Sequence, residues 1–149
     1  MAELRSTGYK NARANAVKDI FENGVIHLYS GSRPASADLA ETGTLLAVIT
    51  NNGGTFVPGE AGNGLQFADA AGGEITTAEG QDWRTNACLA NGTIGYGVLY
   101  DNDREMGPTT TGVKTMFTVG TSGADMNLSR TSVVTGEPFS ITGATIRVN

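Results

Sequence analysis

The sequence contains one cysteine and one histidine, and both scarcities exclude whole classes of site. A single cysteine cannot form an internal disulfide, so Cys88, in an apolar context, is expected as a small buried hydrophobe. A zinc site of cysteine and histidine ligands cannot be assembled from two such residues. His27 and Cys88 could in principle form a nucleophilic pair, but neither lies in a motif that supports catalysis. We therefore expect no catalytic residues and predict that the chain is not an enzyme.

Long apolar runs, nucleotide motifs and calcium loops are also missing. No stretch approaches the roughly 18 apolar residues of a membrane span, and the N-terminus has no apolar signal core, so we expect synthesis in the cytoplasm and no membrane contact. The Gly-rich segment 59–64 has neither dinucleotide spacing nor a P-loop lysine. The acidic segment 101–105 could offer oxygen ligands to calcium, but Met106 and Gly112 occupy the glycine and glutamate positions of an EF-hand. We interpret it as a solvated hairpin tip and expect no metal and no cofactor.

The charges are mostly acidic and unevenly distributed, with a net charge of −5. Residues 1–33 carry five basic and three acidic groups, a net of +2, and the remaining residues carry five basic and twelve acidic groups, a net of −7. An acidic body repels a phosphate backbone, so nucleic acid is not an expected partner. We interpret the basic segment as a solvated helix face, with docking on an acidic neighbour as the alternative.

Glycine is abundant and proline is rare, with 21 and four residues respectively in a chain of 149. Glycine at this frequency without a three-residue period is typical of tight turns between short strands. A chain of this length can bury a core of its own, and no linker or internal repeat divides it. We therefore predict one domain, residues 1–149, of mainly β structure.

The apolar spacing predicts one helix, at about residues 7–23. Ser6 or Thr7 can cap its start, and Asn23 with Gly24 supplies a left-handed stop. Its apolar residues recur at helical spacing and form one predicted stripe. The members of that stripe are Tyr9, Ala12, Ala16, Val17, Ile20 and Phe21.

After Gly24 the apolar period changes from about 3.6 to about 2, which predicts strands. Roughly eight to ten short strands separated by turn signals favour a β-sandwich or jelly-roll-like domain with one N-terminal α-helix. The apolar parity switches across Gly143, which predicts a bulge or bend in the last strand. The predicted strands are 25–29, 44–50, 55–57, 65–67, 75–77, 93–100, 113–119, 126–128 and 139–148.

Three separated parts of the chain carry its most distinctive residues. They read HLYSGSRP at 27–34 with ETGTLL at 41–46, GYGVLYD at 95–101, and TVGTSGADMNL at 118–128. In this order they resemble a group of small virion structural proteins of tailed phages. The resemblance implies a location in the virion, and it brings no catalytic residue with it.

On this basis we expect a capsid decoration or cement protein that binds and stabilises the lattice of the major capsid protein. Its other expected partners are copies of itself, with a trimer as the working hypothesis. The N-terminal helix is expected either to belong to the core, which we prefer, or to pack between subunits. The expected interface residues are Tyr9, Val17, Ile20, Phe21 and Arg33.

Two other functions stay open at this point. The chain could be a neck, tail or fibre-attachment component of the same kind of particle. It could instead be a glycan-binding adhesion module in which Trp83 stacks on a sugar. Solvent exposure of Trp83 beside polar side chains would support the glycan function, and burial of this ring would remove it.

Overall fold

A computed structural model describes residues 3–142 and 144–147, and in this part of the chain one N-terminal helix precedes ten strands. The predicted class, mainly β with one N-terminal helix, is confirmed. The elements are α1 Thr7–Phe21, β1 Val25–Ser30, β2 Leu45–Asn51, β3 Glu74–Thr76, β4 Trp83–Thr85, β5 Gly92–Tyr100, β6 Lys114–Gly120, β7 Met126–Asn127, β8 Ser132–Val133, β9 Phe139–Ser140 and β10 Thr145–Arg147.

Helix α1 begins at a side-chain cap and ends shortly before a left-handed residue. The Ser6 hydroxyl accepts a hydrogen bond from the Tyr9 amide at 3.1 Å, so Ser6 is the N-cap. The helix ends at Phe21, two residues before the approximate predicted end, and the predicted left-handed stop is Asn23, which has a φ of 60°. The Asn23 amide donates to the Leu65 carbonyl at 2.8 Å, which turns the chain out of the helix and towards β1.

Eight strands form one curled sheet with the shape of a half-barrel. Their order is β7–β6–β5–β1–β2–β4–β9, and β8 pairs with one end of β5. The central strand β1 pairs antiparallel with both β2 and β5, whereas β6 and β7 form a short parallel pair. Strands β3 and β10 form a separate antiparallel ladder of two strands.

The main sheet is buried on both faces, because β1 sends alternate side chains into two cores. Ile26 and Leu28 belong to the larger core, which also includes residues of α1 and of the β3–β10 ladder. Val25 and Tyr29 belong to the smaller core on the opposite face. Burial on both faces explains why the first five residues of β1 are all buried, a pattern unlike the alternation of a sheet with one wet face.

The short and late strands depart from the prediction. No strand forms at 55–57, although Phe56 is buried, and 65–67 contributes isolated bridges only. The predicted strand 139–148 contains two strands, β9 on the main sheet and β10 on the ladder. The predicted bulge or bend at Gly143 lies outside the described residues. Strands β4 and β8 were not predicted, because two or three residues are too few to show a period.

Candidate functional site

A cluster of buried polar side chains lies on the smaller-core face of the sheet. Strands β1, β5 and β6 and the loop 31–44 contribute to it. We call it the polar cluster, and its members are His27, Tyr29, Glu41, Tyr100 and Lys114. Its centre is an ion pair in which Lys114 Nζ lies 2.8 Å from Glu41 Oε1, and these side chains are 2% and 8% exposed. A buried charge pair of this kind requires hydrogen bonds to its remaining polar atoms.

Both oxygens of the Glu41 carboxylate have donors. The Tyr100 hydroxyl donates to Oε1 at 2.8 Å, and the Gly107 amide donates to Oε2 at 2.8 Å. Lys114 also donates to the Gly107 carbonyl at 2.9 Å. Burial alone would raise the pKa of Glu41, but the bonds from Lys114, from backbone amides and from Tyr100 outweigh it and lower the pKa. The charged carboxylate therefore ties the loops 31–44 and 101–112 to the sheet.

His27 is a buried imidazole at the other end of the polar cluster. It is 2% exposed and packs edge-on against the Tyr100 ring, with 4.8 Å between the ring centroids. Its Nδ1 lies 3.4 Å from the Tyr29 hydroxyl, and its Nε2 has no hydrogen-bond partner among residues 3–142 and 144–147. Burial, and then the charge of Arg104, lower the pKa of His27 to about 4. The imidazole is therefore uncharged at neutral pH.

Sequence reasoning identified His27 but none of its partners. Tyr100 is 59 residues from Glu41, and Lys114 is 73 residues from Glu41, so these groups meet only through the pairing of β1, β5 and β6. No local motif links them. The one available signal is the presence of tyrosines in predicted strands, because a buried tyrosine needs a partner for its hydroxyl.

The structure does not bring His27 and Cys88 together. Cys88 belongs to the larger core, whereas the His27 ring contacts Tyr29 and Tyr100 on the opposite face of the sheet. Burial raises the pKa of the Cys88 thiol, which favours the protonated form. Cys88 therefore packs as the small buried hydrophobe that its apolar context predicts.

The acidic segment 101–105 is a turn whose carboxylates accept bonds from nearby groups. Asp101 Oδ1 accepts from the Asp103 amide at 3.1 Å, and Glu105 Oε1 accepts from the Thr109 hydroxyl at 2.7 Å. Within residues 3–142 and 144–147, no group of three or more His, Cys, Asp or Glu side chains is placed to hold a metal ion.

Polar side chains of helix α1 dock it on the 69–73 segment, beside the apolar residues that it contributes to the larger core. The Asn11 side-chain oxygen accepts from the Gly73 amide at 2.8 Å, and the Asn15 side-chain oxygen accepts from the Ala70 amide at 2.8 Å. Lys18 Nζ lies 3.2 Å from Asp69, and this hydrogen bond raises the pKa of Lys18. The helix is thus positioned by polar side chains that satisfy the backbone of the 69–73 segment.

The opposite face of α1 is apolar and open to solvent. Tyr9 and Ile20 are each 51% exposed, and the two alanines between them are also exposed. At about 100° per residue, these positions fall on one side of the helix. We call this face the helix stripe, and its members are Tyr9, Ala12, Ala16 and Ile20.

The preferred assignment of the predicted interface residues to the core is wrong for Tyr9 and Ile20. Phe21 is 8% exposed and belongs to the larger core, and Val17 packs against that core from a half-buried position. Tyr9 and Ile20 point the other way, because Asn11 and the polar residues that follow it dock the opposite side of α1. The predicted apolar stripe therefore divides into an inward part and an outward part.

Arg33, the fifth predicted interface residue, lies away from α1 in the chain and bonds to the β6–β7 region. Its guanidinium lies 3.3 Å from the Asp125 carboxylate and 3.4 Å from the Met116 carbonyl. The side chain is 46% exposed. Arg33 thus links the loop after β1 to the segment around β7.

Trp83 is buried, which removes the stacking platform that a glycan-binding function needs. The residue is 2% exposed, and its Nε1 donates to the Gln81 side chain at 3.1 Å. Its ring packs edge-on against Phe67, with 5.3 Å between centroids. Trp83 is therefore a core residue.

A groove of mixed polar and apolar lining lies beside the main sheet. It lies between the β6–β7 segment and the β3–β10 ladder and has a volume of about 630 Å³. Ile26, Leu99 and Trp83 contribute to its lining from the main sheet. Phe117 and Ile146 line it from the two sides, together with the polar residues Glu74 and Asp125.

Comparisons with known proteins leave the function to be argued from these surfaces. No family model, no curated protein and no solved structure matches the chain. In the part of the chain that the structure describes, no helix is both long and apolar enough to cross a membrane.

Proposed function

We propose that this chain is a structural protein of a tailed-phage virion, which acts by packing against other subunits and not by catalysis. The observation that carries this proposal is the orientation of α1, which packs Phe21 and the asparagines Asn11 and Asn15 inward and turns the helix stripe outward. An exposed apolar surface of this kind is typical of a protein–protein contact. The location in a virion rests on the resemblance of residues 27–34, 95–101 and 118–128 to phage virion proteins.

The segments that carry the resemblance converge in the polar cluster and around it. Tyr29 stacks on Tyr96 with 5.2 Å between ring centroids. The Tyr96 hydroxyl donates to the Thr42 carbonyl at 2.6 Å and accepts from the Thr42 amide at 2.8 Å. Arg33 joins the first segment to Asp125 in the last. These residues hold the fold and its loops together, as expected of a rigid subunit.

Within the virion, the role that we propose is capsid decoration. Many copies of a small acidic domain can bind the major capsid protein and one another through modest contacts, and the summed contacts stabilise the lattice. The helix stripe supplies an apolar contact, and the rigid loops 31–44 and 101–112 supply polar ones. A neck, tail or fibre-attachment component could use the same surfaces in fewer copies.

Particles that lack this chain test the proposal. We expect them to assemble and to open at a temperature several degrees lower, because the lattice loses bridging contacts. Purified wild-type protein added back should restore heat resistance. Ala12→Arg, which places a charge in the helix stripe, should fail to restore it, whereas Ala61→Arg, in an exposed loop outside the helix, should succeed. Unchanged heat resistance of the deficient particles would contradict the decoration role.

A further inference from the structure

The order of side chains along the helix stripe is symmetric. A large residue lies at each end, Tyr9 and Ile20, and two small residues, Ala12 and Ala16, lie between them. Reversing the direction of the helix about a point near residue 14 gives the same order of large, small, small and large. Alanines at the centre let the backbone of a second helix approach closely, and the large ends then pack beside them.

The two ends of the helix stripe carry different charges, with basic side chains around Tyr9 and an acidic one beside Ile20. The guanidinium groups of Arg5 and Arg13 lie 5.9 and 5.8 Å from the centre of the Tyr9 ring. Arg5 also forms an ion pair with Glu3, at 3.5 Å. At the other end, Asp19 is exposed next to Ile20, and the charge of Lys18 is paired with Asp69 at 3.2 Å. The first turn has no acidic residue, so the start of the helix lacks the negative charge that its dipole favours, whereas Lys18 in the last turn is favourably placed.

We propose that the helix stripe binds a second copy of this chain, with the two α1 helices antiparallel about a two-fold axis. The axis passes near residue 14, so that Tyr9 of each copy packs against Ile20 of the partner. The arginines around Tyr9 then lie at the end of the partner helix that carries Asp19. A two-fold contact of this kind is isologous, because the same surface is used by both copies. The inference rests on the proposed function in one respect, since both use the helix stripe as a contact.

A parallel arrangement, as in a three-fold bundle, does not fit these charges. It would bring the Arg5 and Arg13 groups of every copy to the same end, without Asp19 nearby, and would align the helix dipoles side by side. The antiparallel pair places opposite charges together at both ends. One helix face is smaller than the roughly 800 Å² per partner of a standard interface, so the dimer should form only at high protein concentration.

Disulfide trapping in the full chain tests the direction of the helices. Tyr9→Cys and Ile20→Cys are made separately, and Cys88 stays in place because its thiol is buried. In the antiparallel pair, an equal mixture of the two variants should form a mixed disulfide dimer. Each variant alone should remain uncross-linked, because two copies of position 9 lie about 16 Å apart along the axis, beyond the reach of a disulfide.

Two control variants make the outcome decisive. Ala12→Arg combined with each cysteine should abolish the mixed dimer, whereas Ala61→Arg combined in the same way should leave its yield within about twofold. Efficient cross-linking of Tyr9→Cys with itself would show parallel helices and overturn the proposal, as would the absence of any mixed dimer. If the mixed dimer forms but particles that lack this chain keep their heat resistance, the antiparallel pairing of the helices stands and the decoration role is rejected.

Discussion

At the scale of single residues, His27 makes stability depend on pH. The pKa of His27 in the folded state is about 4, below the ordinary value of 6.5. At a pH between these two values, the folded state therefore binds fewer protons than the unfolded state. The stability that depends on neutral His27 is therefore fully present when the pH is above the unfolded-state pKa, and it decreases as the pH falls from there towards the folded-state pKa. Between about pH 7.5 and about pH 4.5, we expect the free energy of unfolding to decrease by about 2–3 kcal/mol because of this group.

The measurement is urea unfolding at several pH values, with His27→Gln as the matched variant. This window lies mostly above the range in which Glu41 binds a proton, because the pKa of that carboxyl is lowered. The difference between the two pH profiles thus isolates the imidazole. Parallel profiles for the wild type and His27→Gln would contradict the burial of a neutral histidine.

Lys114 carries the second residue-scale prediction. Lys114→Met leaves the Glu41 carboxylate buried without its cation, which should decrease the free energy of unfolding by about 3–5 kcal/mol. The double variant Lys114→Met with Glu41→Gln should lose less free energy of unfolding than the single variant, because no uncompensated buried charge remains. Chemical denaturation at neutral pH measures both. A loss of less than about 1 kcal/mol in the single variant would mean that the pair is accessible to water.

At the scale of elements, neighbouring residues on the two faces of α1 should behave differently. Phe21→Ala removes a ring from the larger core and should decrease the free energy of unfolding by about 3–5 kcal/mol. Ile20→Ala changes a side chain that is 51% exposed, and its effect should stay below about 1 kcal/mol. Thermal unfolding monitored by circular dichroism compares the two at low protein concentration. Similar losses would contradict the outward orientation of the helix stripe.

The sequence predicted the existence of α1 correctly and its orientation only in part. Apolar spacing places Ile20 and Phe21 on one stripe, because adjacent positions are only about 100° apart. The orientation was decided instead by Asn11 and Asn15, whose side chains bond to backbone amides of the 69–73 segment. Nothing local to the helix shows that these amides need partners, so this result required the tertiary structure.

For the strands too, the sequence predicts what depends on local residues and misses what depends on tertiary contacts. The long strands β1, β2, β5 and β6 were predicted nearly to their bounds, because each has enough residues to show a period or a continuous apolar run. The pairing of β9 with β4, and of β10 with β3, depends on contacts between distant parts of the chain. Such strands form where a neighbouring edge is available, and their own residues indicate them weakly.

At the scale of the whole molecule, the half-barrel combines a well-buried interior with an exposed apolar helix face and a groove of mixed lining. The polar cluster fixes the loops on one face of the sheet. The helix stripe and the groove lie outside it. Sequence composition predicted the β class, but not the polar cluster, because Glu41 and Lys114 meet only after the sheet has formed. This arrangement is consistent with the proposed role of a subunit that binds its neighbours.

The copy number of this chain in purified particles tests the central claim of subunit packing in a virion most directly. Quantitative mass spectrometry against the major capsid protein provides the measurement. A decoration protein should be present on the order of hundreds of copies per particle, since its effect depends on many modest contacts. About six to twelve copies would indicate a ring-shaped neck or tail position instead. The absence of the chain from washed particles would contradict the account.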